Sequence, residues 1–158
     1  MVKPMLKADL LNGLNEEDAG RVMALAKRTI LTSGAELFHL GDSAESIYLI
    51  ARGRLRLTLP MQVRDREENV LVEERVPGQT VGWSALIPPF RFTLTATAPL
   101  ETEVFALSRD ALHAHFAANP LAGYAVSMNL ASVIGERLQL FQTMWVREVQ
   151  RMVEARCA

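Results

Sequence analysis

From Pro120 to Arg156 the chain has no proline after its first residue, and only Gly123 and Gly135 weaken it as a helix. Read as one helix, it would be about 55 Å long at ~1.5 Å per residue. A single domain of 158 residues cannot surround a rod of that length. The apolar pattern says what the rod needs. Tyr124, Ser127, Ala131, Ile134, Leu138, Phe141, Trp145, Glu148 and Met152 follow alternating steps of three and four, and seven of these nine are apolar. That is an a/d seam. Val126, Leu130, Val133, Leu140 and Met144 mark a second apolar face. Two faces need two neighbours. One is the chain's own domain; the other is most simply the same helix of a second subunit. A homodimer joined along Ala131, Ile134, Leu138, Phe141, Trp145 and Met152 is expected. The competing arrangement packs both faces inside one monomer, and the helix's length argues against it.

The rest of the chain supplies the domain. Residues 5–27 form an N-terminal helical segment. In it Leu6, Leu10, Leu11 and Leu14 recur at helical spacing, and Asn15 stands as the N-cap of a second helix. Glu16, Glu17 and Asp18 fill that helix's first turn, where the helix dipole favours acids. Val22, Met23, Leu25 and Ala26 make its buried side. Residues 28–107 read as all-β, punctuated by glycines at 34, 41, 53, 78 and 82. "ESIYLIARG" (45–53) gives a strand ending in a turn. "RLRLTLP" (54–60) alternates strictly, with Leu55, Leu57 and Leu59 on one side, as in a half-buried antiparallel strand. The charged "VRDREEN" (63–69) reads as a hairpin tip and "VLVEERV" (70–76) as the returning strand. "FTLTATA" (92–98) alternates again, and "ETEVFALS" (101–108) follows Pro99. Many short strands with regular turn signals predict a mainly β domain, a jelly roll or sandwich. Residues 108–156 are helical: Ser108 caps "RDALHAHFAA", and Asn119-Pro120 starts the long helix.

Several function classes are disfavoured. A net charge of −1 gives no bias toward nucleic acid. No apolar run reaches the roughly 18 residues of a bilayer span, and "MVKPMLKADL" has no signal-peptide core. Cys157, the only cysteine, cannot make an internal disulfide. A cytoplasmic protein that neither spans nor sits on a membrane is expected. His113 and His115 stand two apart on a helix and point away from each other, so no metal site is expected. No nucleophile–base–acid set appears, so the chain is not expected to be an enzyme.

One stretch suits an anion. After Gly82, residues Trp83 to Ile87 can form one helical turn closed by Pro88-Pro89. The first N–H groups of such a turn have no internal partners. Ser84 adds a hydroxyl and Arg91 a charge. From Arg91 the alternation puts Thr93, Thr95 and Thr97 on one face and Phe92, Leu94, Ala96 and Ala98 on the other.

The order of these elements resembles the sensor domain of the cyclic-nucleotide-binding superfamily, as in catabolite-activator and Fnr-type bacterial regulators. The resemblance covers residues 5 to 153. It is carried by "ELFHLGDSAESIYLIARGRLRL" (36–57), "VPGQTVGWSALI" (76–87) and "FALSRDALHAHFAANP" (105–120), with turn glycines at 41, 53, 78 and 82. It implies a β-roll of the jelly-roll type. A phosphate-binding cassette would lie at 78–98, and a long C-terminal helix would dimerise and cover the pocket. In the family's pattern the cassette reads Gly-Glu-Leu-Ala-Leu, then a loop, then Arg followed by a small residue. Gly82, Ala85, Leu86 and Thr93 match it. Trp83 stands at the glutamate position and Phe92 at the arginine position, so Arg91 is expected on the opposite face unless the register slips by one. The helical cap falls on Phe141, Gln142 and Thr143. The ligand implied is a cyclic nucleotide (cyclic AMP or cyclic GMP) or another small effector.

A buried phosphate without its arginine is strongly unfavourable. The two rings would instead build an apolar pocket or fill it. Two readings stay open. One is a regulatory sensor whose ligand moves the long helix and alters a surface for an unidentified protein partner. The other is a ligand-free interaction or dimerisation module with an aromatic-filled pocket. The chain ends at Ala158 with no recognition helix, so DNA binding by this chain alone is not expected.

Overall fold

A computed structural model describes residues 7–158. Strands β1 (Lys27–Leu31), β2 (Glu36–Phe38), β3 (Ser46–Arg52), β4 (Leu55–Val63), β5 (Arg66–Arg75), β6 (Thr80–Val81), β7 (Thr95–Thr97) and β8 (Thr102–Ser108) lie between helix α1 (Glu16–Met23) and helices α2 (Arg109–Ala118) and α3 (Pro120–Cys157). They form two antiparallel four-stranded sheets, in the orders β1-β8-β3-β6 and β2-β7-β4-β5. The fold is therefore a mainly β roll with flanking helices and a long C-terminal helix.

Two apolar clusters explain the layering. Phe38, Leu57, Phe92, Leu94 and Val104 fill the space between the sheets. Leu10, Leu11, Val22, Ile47, Leu112 and Val126 form a second cluster under the helices. Strand β3 serves both: Ile47 and Leu49 face the helices while Ile50 faces the sandwich. A strand covered on both faces has little reason to alternate, which is why "SIYLIA" reads as a continuous apolar run. On β4, Leu55 and Leu57 are buried while Arg56 is exposed.

The caps sit where the sequence put them. The Asn15 side chain accepts a hydrogen bond from the Asp18 amide at 2.7 Å, and Ser108 Oγ accepts from the Ala111 amide at 3.1 Å. Three expectations change. Leu10 and Leu11 lie on a short 3-10 turn, Asp9–Leu11, rather than a helix; Met5 and Leu6 lie outside the described residues. The hairpin tip is Arg64-Asp65 alone, because β4 and β5 stay paired out to Val63 opposite Arg66. Its charges misled because a two-stranded ribbon reaching past its sheet is wet on both faces, and a strand there tolerates them. Finally, only Thr95–Thr97 of the 92–98 run is a strand. The even positions are still buried, as expected.

Helix α3 meets the body along Ala122, Val126, Leu130, Val133 and Arg137. Gly123 permits the close crossing with α2, since a Cβ there would lie 2.9 Å from the Phe116 Cβ. Asn129 Nδ2 donates to the carbonyls of Leu10 and Asn12 at 2.8 and 2.7 Å, tying the N-terminal turn to α3. Beyond Arg137 no α3 residue is buried. Leu138 is 59% and Trp145 68% exposed. No helix among the described residues is long and apolar enough to cross a membrane.

Candidate functional site

The site is built around Gly82. Its φ of +79° places it in the left-handed region, and a Cβ there would come within 3.2 Å of the Tyr48 ring and 3.3 Å of the Phe92 ring. Only glycine fits both the turn and the packing. The 3-10 turn Trp83–Ala85 follows. The amides of Ala85, Leu86 and Ile87 donate back to Gly82, Trp83 and Ser84 within the turn. Those of Trp83 and Ser84 precede this ladder and have no partner in it. Arg109, at the start of α2, clamps the turn from behind. Its Nη1 donates to the carbonyls of Ala44 and Ala85 at 2.8 and 3.1 Å, and its guanidinium lies 4.1 Å from the centre of the Phe90 ring.

The rings fall in two different places. Phe92 points into the sandwich, where it stacks on Phe38 with ring centres 3.8 Å apart and planes 9° from parallel. It is core. Arg91 points outward; its Nη1 donates to the Gly41 carbonyl at 2.9 Å and its side chain is exposed. Trp83 is half-buried beside the turn and faces α3 across a groove. Beside it, Phe38, Leu57, Gly82, Ser84, Thr93, Leu94 and Arg137 line, with Trp83 itself, a cavity of about 10 Å³. That is room for about one water. A drug-sized ligand needs a pocket of roughly 300 Å³ or more.

Outside the cavity, between the turn and α3, lies an open groove of about 320 Å³. Leu59, Trp83, Thr93 and Leu94 form its floor; Ile134, Arg137, Leu138 and Phe141 form its helical wall. A second cleft of about 260 Å³ continues past Ile134 toward α2. Leu86, Ile87, His113, Phe116 and Ala131 are among its lining residues. Of the cap residues read from sequence, Phe141 borders the groove. Gln142 and Thr143 are exposed, and Thr143 Oγ1 donates to the Gln139 carbonyl at 3.0 Å. Met152 is exposed like Leu138 and Trp145.

The residue on α3 that reaches the cassette is Arg137, which sequence reasoning passed over. It is 9% exposed. Its Nε donates to Glu73 Oε2 at 2.6 Å. Glu73 Oε1 accepts from Arg75 Nη1 at 2.9 Å, and Arg75 Nη2 lies 3.5 Å from Asp9 Oδ2. Asp9 in turn accepts from the Thr80 amide at 3.2 Å and from the Thr80 hydroxyl. One charged chain thus links α3, β5, the N-terminal turn and β6. Burial pulls the Arg137 pKa below the ordinary arginine value, and Glu73 opposes that pull. An arginine with a carboxylate this close stays charged. The sequence held a sign of it. Arg137 falls on the stripe of Val126, Leu130, Val133, Leu140 and Met144, a lone charge on an apolar face.

A family model of the cyclic nucleotide-binding domain matches residues 28–119. The chain is 27% identical over 135 residues to the cyclic AMP receptor protein of Thermus thermophilus, a match covering 85% of this chain and 59% of that protein. Among solved structures, the Thermus thermophilus catabolite activator protein is similar with a TM-score of 0.74 and 25% identity, over 90% of this chain and 63% of that one. The N-terminal domain of a transcriptional regulator from Streptomyces coelicolor A3(2) is similar with a TM-score of 0.70 and 23% identity, over 87% of this chain and 94% of that one. The chain therefore spans less than two thirds of the curated relative's length.

Proposed function

Because the chain belongs to the cyclic nucleotide-binding domain family, we propose that it is a regulatory sensor in which a small effector binds between the β-roll and α3 and biases the position of that helix. The family is a regulatory one, and no catalytic role is proposed. The observation that carries the reading is Arg137. It brings an α3 side chain to line, with residues of the cassette turn, both the small cavity and the open groove. Anything that enters must contact or displace it. An effector shifts α3 only by binding one helix position better than the other. Cyclic AMP and cyclic GMP are the first effectors to test. Neither fits the cavity as it stands, so binding inside it requires α3 and Trp83 to withdraw.

The exposed seam of α3 supports a homodimer, with Leu138, Trp145 and Met152 meeting their copies. The moved helix, and the surface of the dimer it shapes, is the output for a protein partner. Arg147, Arg151 and Arg156 alternate with Glu148 and Glu154 on the distal half, so that half offers no basic stripe to DNA.

A second reading is favoured by the cavity itself. With Phe92 in the core and room for one water, the pocket is already filled, as in a ligand-free dimerisation module. The lone Cys157 near the end of α3 gives a labelling site that separates the two. Cyclic AMP, cyclic GMP and decanoate are titrated by calorimetry while a probe on Cys157 reports the helix. Uptake of any one with a change at the probe supports the sensor. No uptake and an unmoved probe overturn it in favour of the filled module.

A further inference from the structure

The groove between the cassette turn and α3 carries one charge, and that charge is half used. Arg137 lines the groove, and Arg137 is the sole ionisable residue among those lining it. Among the described residues its guanidinium donates only through Nε, to Glu73, which leaves both Nη groups without a protein acceptor. No fully buried side-chain nitrogen or oxygen lacks a partner among the described residues. The Nη groups therefore border open space, and the spaces Arg137 lines are the cavity and the groove. An arginine side chain 9% exposed, with free Nη donors bordering an apolar groove, is poised for an anion that arrives with an apolar body.

The chemistry narrows the anion. Two Nη groups in one plane form a fork that matches the two oxygens of a carboxylate. A cyclic phosphodiester, a monoanion with two free oxygens, would match the same fork, so it is the apolar lining of the groove that separates the two classes. Thr93 provides the one hydroxyl at the groove. The body is set by Leu59, Trp83, Leu94, Ile134 and Phe141, which offer aliphatic and aromatic contact. A volume of about 320 Å³ is at the small end of ligand pockets. We propose that the effector of this site is a small amphiphilic carboxylate, its acid group on the free Nη edge of Arg137 and its apolar body laid along Trp83 and the wall of α3. This rests on the sensor reading above and names its ligand class. Cyclic AMP is a poor match, because its phosphate is charged but its sugar and base are polar. Arg137 bridges ligand and Glu73, so the ligand's acid and the β5 carboxylate hold opposite edges of one guanidinium. That places ligand occupancy and helix position on the same side chain.

The test compares decanoate with 1-decanol, an alkyl chain of the same length without the charge. It is read by Trp83 fluorescence in a Trp145→Phe background and by calorimetry, with the oligomeric state followed by sedimentation. Decanoate is expected to bind at least tenfold more tightly than decanol. Arg137→Lys keeps a cation beside Glu73 but loses the fork, and should erase most of that advantage. Leu59→Gln, on the groove floor and outside the ion pairs, should weaken both ligands by a similar factor. Equal affinity for decanoate and decanol would overturn the proposal, as would decanoate binding unchanged by Arg137→Lys. Uptake of cyclic AMP with movement of α3 but no uptake of decanoate would overturn the carboxylate assignment and leave the sensor standing. No uptake of any probe, whatever the oligomeric state in sedimentation, would overturn both.

Discussion

At residue scale the molecule depends on a few side chains whose replacement has a defined cost. Arg137→Met leaves Glu73 as a carboxylate 18% exposed without its α3 partner, and removing one member of a buried pair costs about 3–5 kcal/mol. Arg75 remains beside Glu73, so the low end of that range is expected in urea unfolding. The double variant Arg137→Met, Glu73→Gln should recover part of the loss, since no buried charge is then unpaired. Gly82→Ala places a Cβ in the left-handed region, at about 1–2 kcal/mol, and pushes it toward Tyr48, Phe92 and the Ser46 carbonyl. A fall in Tm of several degrees is expected. The pair on the outer sheet gives a pH signature. Arg28 Nε donates to Glu103 Oε1 at 3.0 Å and holds that carboxyl below its ordinary value of 4.5, with burial opposing. A carboxyl lowered in the folded state stabilises above its unfolded pKa and loses that contribution as pH falls through its folded one. Glu103→Gln should therefore flatten the decline of Tm measured below about pH 5. Of the site residues, Trp83 and Phe92 stood out in the sequence because they occupy places where the family's pattern has charges. Where each points was not legible. Phe92 follows the alternation into the core, whereas Trp83 sits on a turn, where no period applies. Arg137 could be found only by asking why an arginine lies on an apolar stripe.

At the scale of elements, strict patterns carried well and charge runs did not. Leu55 and Leu57 declared β4 because one face of it is buried. The same strand continues through Met61, Gln62 and Val63, where both faces are wet and composition resembles a loop. The run 92–98 kept its even positions buried, with Thr95 buried as well, but formed a strand only at Thr95–Thr97, where β2 and β4 flank it. Pairing, not periodicity, sets where a strand starts. The seam of α3 leads to a prediction of its own. Leu138→Glu combined with Trp145→Glu places acids on positions 59% and 68% exposed in the single chain. Those changes should leave far-ultraviolet circular dichroism unchanged while shifting sedimentation from dimer to monomer. A dimer that survives both would put the interface on another face.

At the scale of the whole molecule, two packed sheets and a helical layer make a body that the chain completes by Arg137. Residues 138–157 add nothing buried to it. Truncation after Phe141 should therefore give a folded monomer whose Tm does not vary with concentration. The intact protein, if it dimerises through α3, should melt at temperatures that rise with concentration. The family and its roll were legible in the sequence because glycine turns and caps lie in an order that few folds share. The small size of the cavity was not, because it depends on which side chain of a helix meets a turn some 50 residues earlier in the chain. No local pattern encodes that distance.

The freely projecting half of α3 has a mechanical consequence. About 20 residues beyond Arg137 extend roughly 30 Å at ~1.5 Å per residue. Arg137 is thus a fulcrum near one end of a stiff arm. A tilt of about 10° there would sweep the far tip by roughly 5 Å over that length. A rearrangement at the guanidinium smaller than a bond length or two would be geared up into a displacement large enough to change which surface the arm presents.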